Sequence, residues 1–214
     1  MPQEPIDLLR TALIEFDEAL SEFAPEVQVT LQPGLDDQTI GVLSALLHPL
    51  ALPRDLQVLY GWHNGQYPHS PGPHIPIFHD ADFLPLETAV ESYTEWKKVH
   101  PIWNPLWFPA FGATGGLLVI LRDNPNALTG PLWAFDREDT YLSTSYDSIL
   151  GLVQTATAAW READHLDPEF LGPDFALIRD YNSSSVRPDG MPRVTLSMFD
   201  SDTWPPDWQE AFNA

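Results

Sequence analysis

GLLVILRDNPNALTGPLWAFD, residues 116–136, is the stretch on which the fold turns. Residues 116–122 form an aliphatic run of strand length. NPNALTG (124–130) then collects the turn formers Asn, Pro and Gly, and PLWAFD (131–136) is apolar again. So short a connection brings the second strand back antiparallel, because parallel neighbours need a longer crossover.

Outward from this hairpin the periodicity changes to that of helices. On the C-terminal side, Ser145 is expected to cap a helix over 146–162, with Tyr146, Ile149, Leu150, Val153 and Trp160 on one face. MPRVTLSMF (191–199) reads as one more strand, and WPPDWQEAFNA (204–214) as a polar, aromatic tail. On the N-terminal side, VHPIWNPLWFPA (99–110) reads as irregular, LETAVESYTEWKK (86–98) as a helix and IPIF (75–78) as a strand. QYPHSPGPHIP (66–76) is a Pro-rich loop. A helix over 53–62 starts at Pro53, whose missing N–H does no harm in a first turn, and directs Leu56, Leu59 and Tyr60 inward. It is expected to stop where Asn64-Gly65 turns the chain, with Gly65 at positive φ. A helix over 37–47, capped by Asp36 or Asp37, carries Ile40, Leu43 and Leu47 on its inner face. VQVTL (27–31) alternates as a strand before the Pro33-Gly34 turn. Residues 5–23 place Ile6, Leu9, Leu13, Phe16, Leu20 and Phe23 on one helical stripe.

The expected fold class is α+β, with one mixed or mostly antiparallel sheet and helices packed on one side. Residues 1–25 form an amphipathic helix packing on a domain of residues 26–164, and 165–214 an acidic extension.

The 214 residues carry a formal net charge of −21, and 43% of them are hydrophobic, enough for a packed core. Residues 1–37 hold nine acids and one base, and residues 161–214 eleven acids and four bases, so the ends dominate the field. Such a field repels nucleic acid and anionic membranes and favours a basic protein partner. The competing reading of the charge is solubility, or a halophilic or acidic proteome. There is no cysteine, which removes disulfides, thiolate zinc sites and cysteine nucleophiles and fits a cytoplasmic protein. The acidic N-terminus does not read as a secretory signal, and no apolar run approaches the roughly 20 residues of a bilayer span.

His63, His69, His74 and His79 gather near Asp80 and Asp82. Imidazole and carboxylate are zinc ligands, but most of these fall in a Pro-rich loop and read as surface residues rather than a metal site. No Gly-x-Ser-x-Gly elbow is present, and GATGG (112–116) lacks the Gly-Lys-Ser/Thr of a phosphate cradle and precedes a strand. No catalytic residue, metal or cofactor is assigned. Trp62, Trp133 and Trp160 are placed in the core, whereas Trp103-Asn104-Pro105-Leu106-Trp107 reads as an exposed aromatic lip.

The order of several blocks carries more. Pro33-Gly34, Leu52-Pro53-Arg54-Asp55-Leu56, Leu59-Tyr60-Gly61-Trp62-His63-Asn64-Gly65-Gln66, Phe83-Leu84-Pro85-Leu86-Glu87, Trp103-Asn104-Pro105 with Trp107 and Pro109, Gly115-Gly116 and Ser145-Tyr146 follow one another. Over about residues 30–162 this resembles the SUKH superfamily, the Smi/Knr family of yeast glucan-synthesis regulators and bacterial immunity proteins. The resemblance implies an α+β, non-enzymatic, protein-binding domain. Bacterial relatives often neutralise a cognate toxin delivered between competing cells, and fungal relatives act as scaffolds in cell-wall signalling. The expectation is an immunity protein; the alternatives are a cell-wall synthesis or signalling regulator and, from another class, a metal-dependent hydrolase using the histidine-rich loop. Pro53, Tyr60, Trp62, Asn64, Gly65, Gly115 and Gly116 are expected to be structural, and Trp103, Trp107, His63, Asp80 and Asp82 to face the partner. Many relatives carry an Asp-Gly-Gly-Gly-Asp type of turn before the strand. Here residues 111–117 read FGATGGL without either acid, so no role of those carboxylates carries over.

Overall fold

The structure is a computed structural model that describes residues 4–67, 75–78, 82–99, 103–112, 115–136, 141–162, 166–167, 172–173, 194–198 and 201–213. Helices α1 (Pro5–Phe23) and α2 (Pro25–Gln28) lead to strand β1 (Leu31–Pro33), helices α3 (Asp37–Ala45) and α4 (Arg54–Trp62), and strand β2 (His63–Gln66). Helix α5 (Leu86–Val99) precedes strands β3 (Trp107–Phe111), β4 (Gly115–Ile120), β5 (Leu132–Asp136) and β6 (Tyr141–Tyr146). Helix α6 (Ile149–Glu162), the short strands β7 (Leu166–Asp167) and β8 (Gly172–Pro173), strand β9 (Thr195–Ser197) and helix α7 (Pro206–Asn213) complete the order.

The α+β class holds, and the central sheet is antiparallel in the order β3-β4-β5-β6-β9. The hairpin of the opening stretch forms as expected, with Leu117 opposite Ala134 and Leu118 opposite Trp133. Strand residues alternate between faces. Leu117, Val119, Leu132 and Phe108 therefore enter the main core, where they meet Leu9, Leu13, Phe16 and Leu20 of α1 and Ile149, Val153 and Trp160 of α6. Leu118, Ile120, Trp133 and Phe135 enter a second cluster on the opposite face.

That second cluster corrects the expectation of helices on one side. Helices α1, α4, α5 and α6 line the main core, but α7 covers the other face through Trp208, joined by Trp204. The physical reason is legible in LLVIL (117–121), which does not alternate with polar residues: a strand apolar on both faces must be covered on both. Residues 195–197 and 204–213, inside the expected acidic extension, supply β9 at the sheet edge and this cover.

Other boundaries shift for identifiable reasons. VQVTL is not a strand: α2 occupies Pro25–Gln28, and β1 begins at Leu31. IPIF forms only an irregular buried segment, with Ile75, Ile77 and Phe78 in the core. The aromatic stretch read as irregular contains β3, and Pro109 is tolerated there because β3 is an edge strand. Ser145 does not cap a helix; it lies in β6, and Ser148 caps α6 by accepting the Gly151 N–H at 3.1 Å. The tail read from 204 onward is helical over Pro206–Asn213.

Candidate partner-binding surface

Helix α4 ends at Trp62, and His63-Asn64-Gly65-Gln66 continues as strand β2 against β1 rather than turning outward. The side chains of His63, Asn64 and Gln66 are all hydrogen-bonded. The His63 Nδ1–H donates to the Gln32 carbonyl at 2.7 Å, and its Nε2 lies 3.5 Å from the Asp17 carboxylate of α1. The Trp62 indole N–H donates to the same carboxylate at 2.7 Å. Burial alone would raise the Asp17 pKa; the bonds from His63 and Trp62 outweigh it and hold the carboxyl below its usual range. The Asn64 carbonyl accepts the Leu86 N–H, and its amide donates to Glu87. Gln66 donates to Thr30 and Ile75 and accepts from Ile77.

Gly65 takes φ +74°, as expected, but for a tertiary reason. Its Cα passes the backbone of Phe83–Pro85 so closely that an added Cβ would overlap Pro85 N and Leu84 C. Gly116 is similarly crowded by the Phe111 carbonyl, and Gly115 and Gly116 open β4 itself. Tyr60 is fully buried; burial, with the Glu87 carboxylate nearby, pushes its phenol above the usual range. Trp62 is half-buried on the main core, and Pro53 stands directly before α4.

The aromatic lip is overturned. Trp107 is fully buried and Trp103 is 6% exposed. They pack edge to face with each other at 5.5 Å, and Trp107 meets Trp204 and Trp208 at 5.1 and 5.7 Å. The second sheet face needed a cover, and these rings are part of it. The buried Asn104 between them donates to the Trp208 carbonyl at 2.8 Å and so clasps α7. Neither tryptophan is available to a partner. Of the remaining candidates, His63 is committed to Gln32 and Asp17, and Asp82 is half-buried with its carbonyl accepting the Gly112 N–H. Asp80, His69, His74 and His79 lie outside the described residues.

A different surface comes together around α3. Asp36 caps this helix by accepting the Thr39 N–H at 2.7 Å, and Ile40 and Leu47 fasten it to the core. Its other side stays open: Val42 is 61% and Leu46 67% exposed, one helical turn apart. On another flank of α3 the small residues Gly41, Ser44 and Ala45 form one wall of a cleft of about 650 Å³. The segment His48–Ala51, Arg54 and Gln57 of α4, and Asp123 and Pro125 complete it.

Local bonds hold these walls in place. The Ser44 hydroxyl accepts the Leu52 N–H, and Gln57 donates to the carbonyls of Leu52 and Pro125. The Ala51 N–H donates to the Arg122 carbonyl at 2.7 Å, and the Arg54 N–H to that of Ala127. Beneath, Asp55 accepts from the Thr129 hydroxyl at 2.8 Å and from the Thr129 and Leu56 N–H groups. Burial dominates these bonds and raises the Asp55 pKa. The cleft is thus a braced feature lined by Asp37 of α3, Arg54 of α4 and Asp123. Sequence reading missed it, although a signal was present: Ile40, Leu43 and Leu47 exhaust the inner stripe of α3, so Val42 and Leu46 at i, i+4 form a second one.

Among the described residues no group of three or more His, Asp or Glu side chains could hold a metal ion, and no helix is long and apolar enough to cross a membrane. Comparison with protein-family models finds no match, and comparison with curated proteins finds none either.

Proposed function

We propose that this protein is a non-enzymatic, protein-binding domain of the SUKH type that acts in the cytoplasm as an immunity protein, neutralising a cognate toxin through a basic surface of that toxin. The observation that carries this reading is how the most specific block of the resemblance is used. Asn64, Gly65 and Gln66 are buried and bonded to their own chain, so they serve as scaffold. What the scaffold presents outward is the open α3 face with its braced cleft, on a chain of net charge −21. Exposed apolar residues beside a polar rim are the anatomy of a recognition surface, and a strong negative field accelerates encounter with a cationic partner.

The test is capture from the native cell with the protein as bait, with mass-spectrometric identification, followed by co-expression of the captured partner with this chain. Restored growth against a toxic partner supports the immunity role. A captured cell-wall synthesis or signalling protein that is not toxic overturns it in favour of the scaffold role.

A further inference from the structure

We propose that His63 is a pH-sensitive clamp: in its doubly protonated form the ring ties α1 to the β1–β2 pair, and loss of one proton opens that link. This goes beyond the protein-binding reading and does not depend on it. Nδ1 lies 2.7 Å from the Gln32 carbonyl, which can only accept, so Nδ1 carries a proton. Nε2 lies 3.5 Å from Asp17 Oδ1, and an ionised carboxylate also only accepts. A neutral ring with its proton on Nδ1 turns a bare Nε2 lone pair toward that carboxylate. An imidazolium donates to both partners. Gln32 belongs to β1 and Asp17 to α1, so one ring joins the two elements only while it holds two protons.

Asp17 supplies the fixed charge. Burial opposes its ionisation, but the bonds from His63 and from the Trp62 indole N–H outweigh it. The carboxyl is therefore ionised throughout the range in which histidine changes charge, about pH 5 to 8. The surroundings leave the pair to itself. Trp62 of α4 meets the His63 ring edge to face at 4.4 Å, and Gln28 of α2 donates its neutral amide to the Asp17 carbonyl at 3.2 Å. Glu87 of α5 is bonded to Asn64, and neighbouring strand residues point to opposite faces, so that carboxylate lies away from His63. Among the described residues Asp17 is the only carboxylate within 4.0 Å of the ring. The side chains are 23% and 36% exposed, so the pair exchanges protons with solvent and is still partly shielded from salt. A histidine that gains such a partner adds stability while it is charged and loses that contribution as the ring deprotonates. The clamp is thus closed on the acid side of the histidine range and open on the alkaline side.

The experiment reads the ring directly. The full chain labelled with nitrogen-15 is titrated between about pH 5 and about pH 8, and the His63 ring nitrogens are followed by proton–nitrogen correlation. Both nitrogens are expected to carry protons at the acid end, and Nδ1 alone at the alkaline end. The α1 amides of residues 14–20 are expected to shift with the midpoint of the ring. A ring that keeps one protonation state throughout, or that ends with its proton on Nε2, would overturn the proposal. So would α1 amides that ignore the ring. A double-mutant cycle of His63→Gln, Asp17→Asn and both together is then read by urea denaturation at each end of the range. The cycle cancels the response of the other histidines. Coupling between the two positions is expected at the acid end and its loss at the alkaline end. Equal coupling at both ends, or none at either, would mean that the ring is not a pH-dependent link. If a variant does not fold, the titration of the unaltered chain decides alone.

Discussion

Asn64 and Leu86 stand 22 residues apart in sequence, yet the Asn64 side-chain carbonyl accepts the Leu86 N–H at 2.8 Å, at the first turn of α5. A residue of β2 thereby satisfies one of the donors that every helix leaves open at its start. Its amide reaches Glu87 at 3.0 Å in the same turn. Asn64→Ala removes both bonds and leaves a buried N–H without its partner, which costs about 1–3 kcal/mol. Urea denaturation should show a lower midpoint with an unchanged slope; an unchanged midpoint would show that the bond adds nothing to stability.

Gly65→Val tests the neighbouring position. Its φ of +74° costs a β-branched side chain about 1–3 kcal/mol, before the overlap with Pro85 N and Leu84 C is counted. Gly41→Ala is the control, since nothing lies near its Cβ. Thermal melts should show a large drop for the first and little change for the second.

Asp17 and Asp55 respond to pH with opposite sign. The Asp17 pKa is lowered, so its contribution is present above the unfolded value and is lost as pH falls through the folded one. Asp17→Asn should therefore flatten the loss of melting temperature on the acid side. The Asp55 pKa is raised, so its contribution is complete at low pH and is lost as pH rises through the folded value. Asp55→Asn should flatten the curve in that higher window instead. Melting profiles across the acid range distinguish the two, and identical profiles for both variants would contradict these assignments.

Trp208 carries the attachment of α7. Its ring meets Trp133 at 5.0 Å and Trp107 at 5.7 Å, and its carbonyl is held by Asn104. Trp208→Ala should cost about 3–5 kcal/mol and reduce the near-ultraviolet circular dichroism that coupled tryptophans produce. If the tail were a loose extension, neither stability nor that signal would change.

The antiparallel hairpin, the Leu9–Leu13–Phe16–Leu20 stripe of α1, the cap at Asp36 and a helix beginning beside Pro53 were legible because each depends on neighbours within one turn or one strand, whereas Phe23, read onto the same stripe, is exposed. Gly65 was legible in its conformation but not in its cause, since the crowding backbone comes from Phe83–Pro85.

By itself, the sequence determined the α+β class, the apolar faces and the sign of the field, because periodicity and charge are properties of the chain. Only the tertiary structure decided where Trp103 and Trp107 go. Trp103 and Trp107 look the same in sequence whether they cover a sheet or greet a partner. The choice depends on a helix about a hundred residues away, because α7 returns to the bare face of the sheet and burying apolar area there is more favourable than leaving it in water. The open face of α3 was decided in the same way: Val42 and Leu46 stay in solvent because no other described element of the chain returns to cover them.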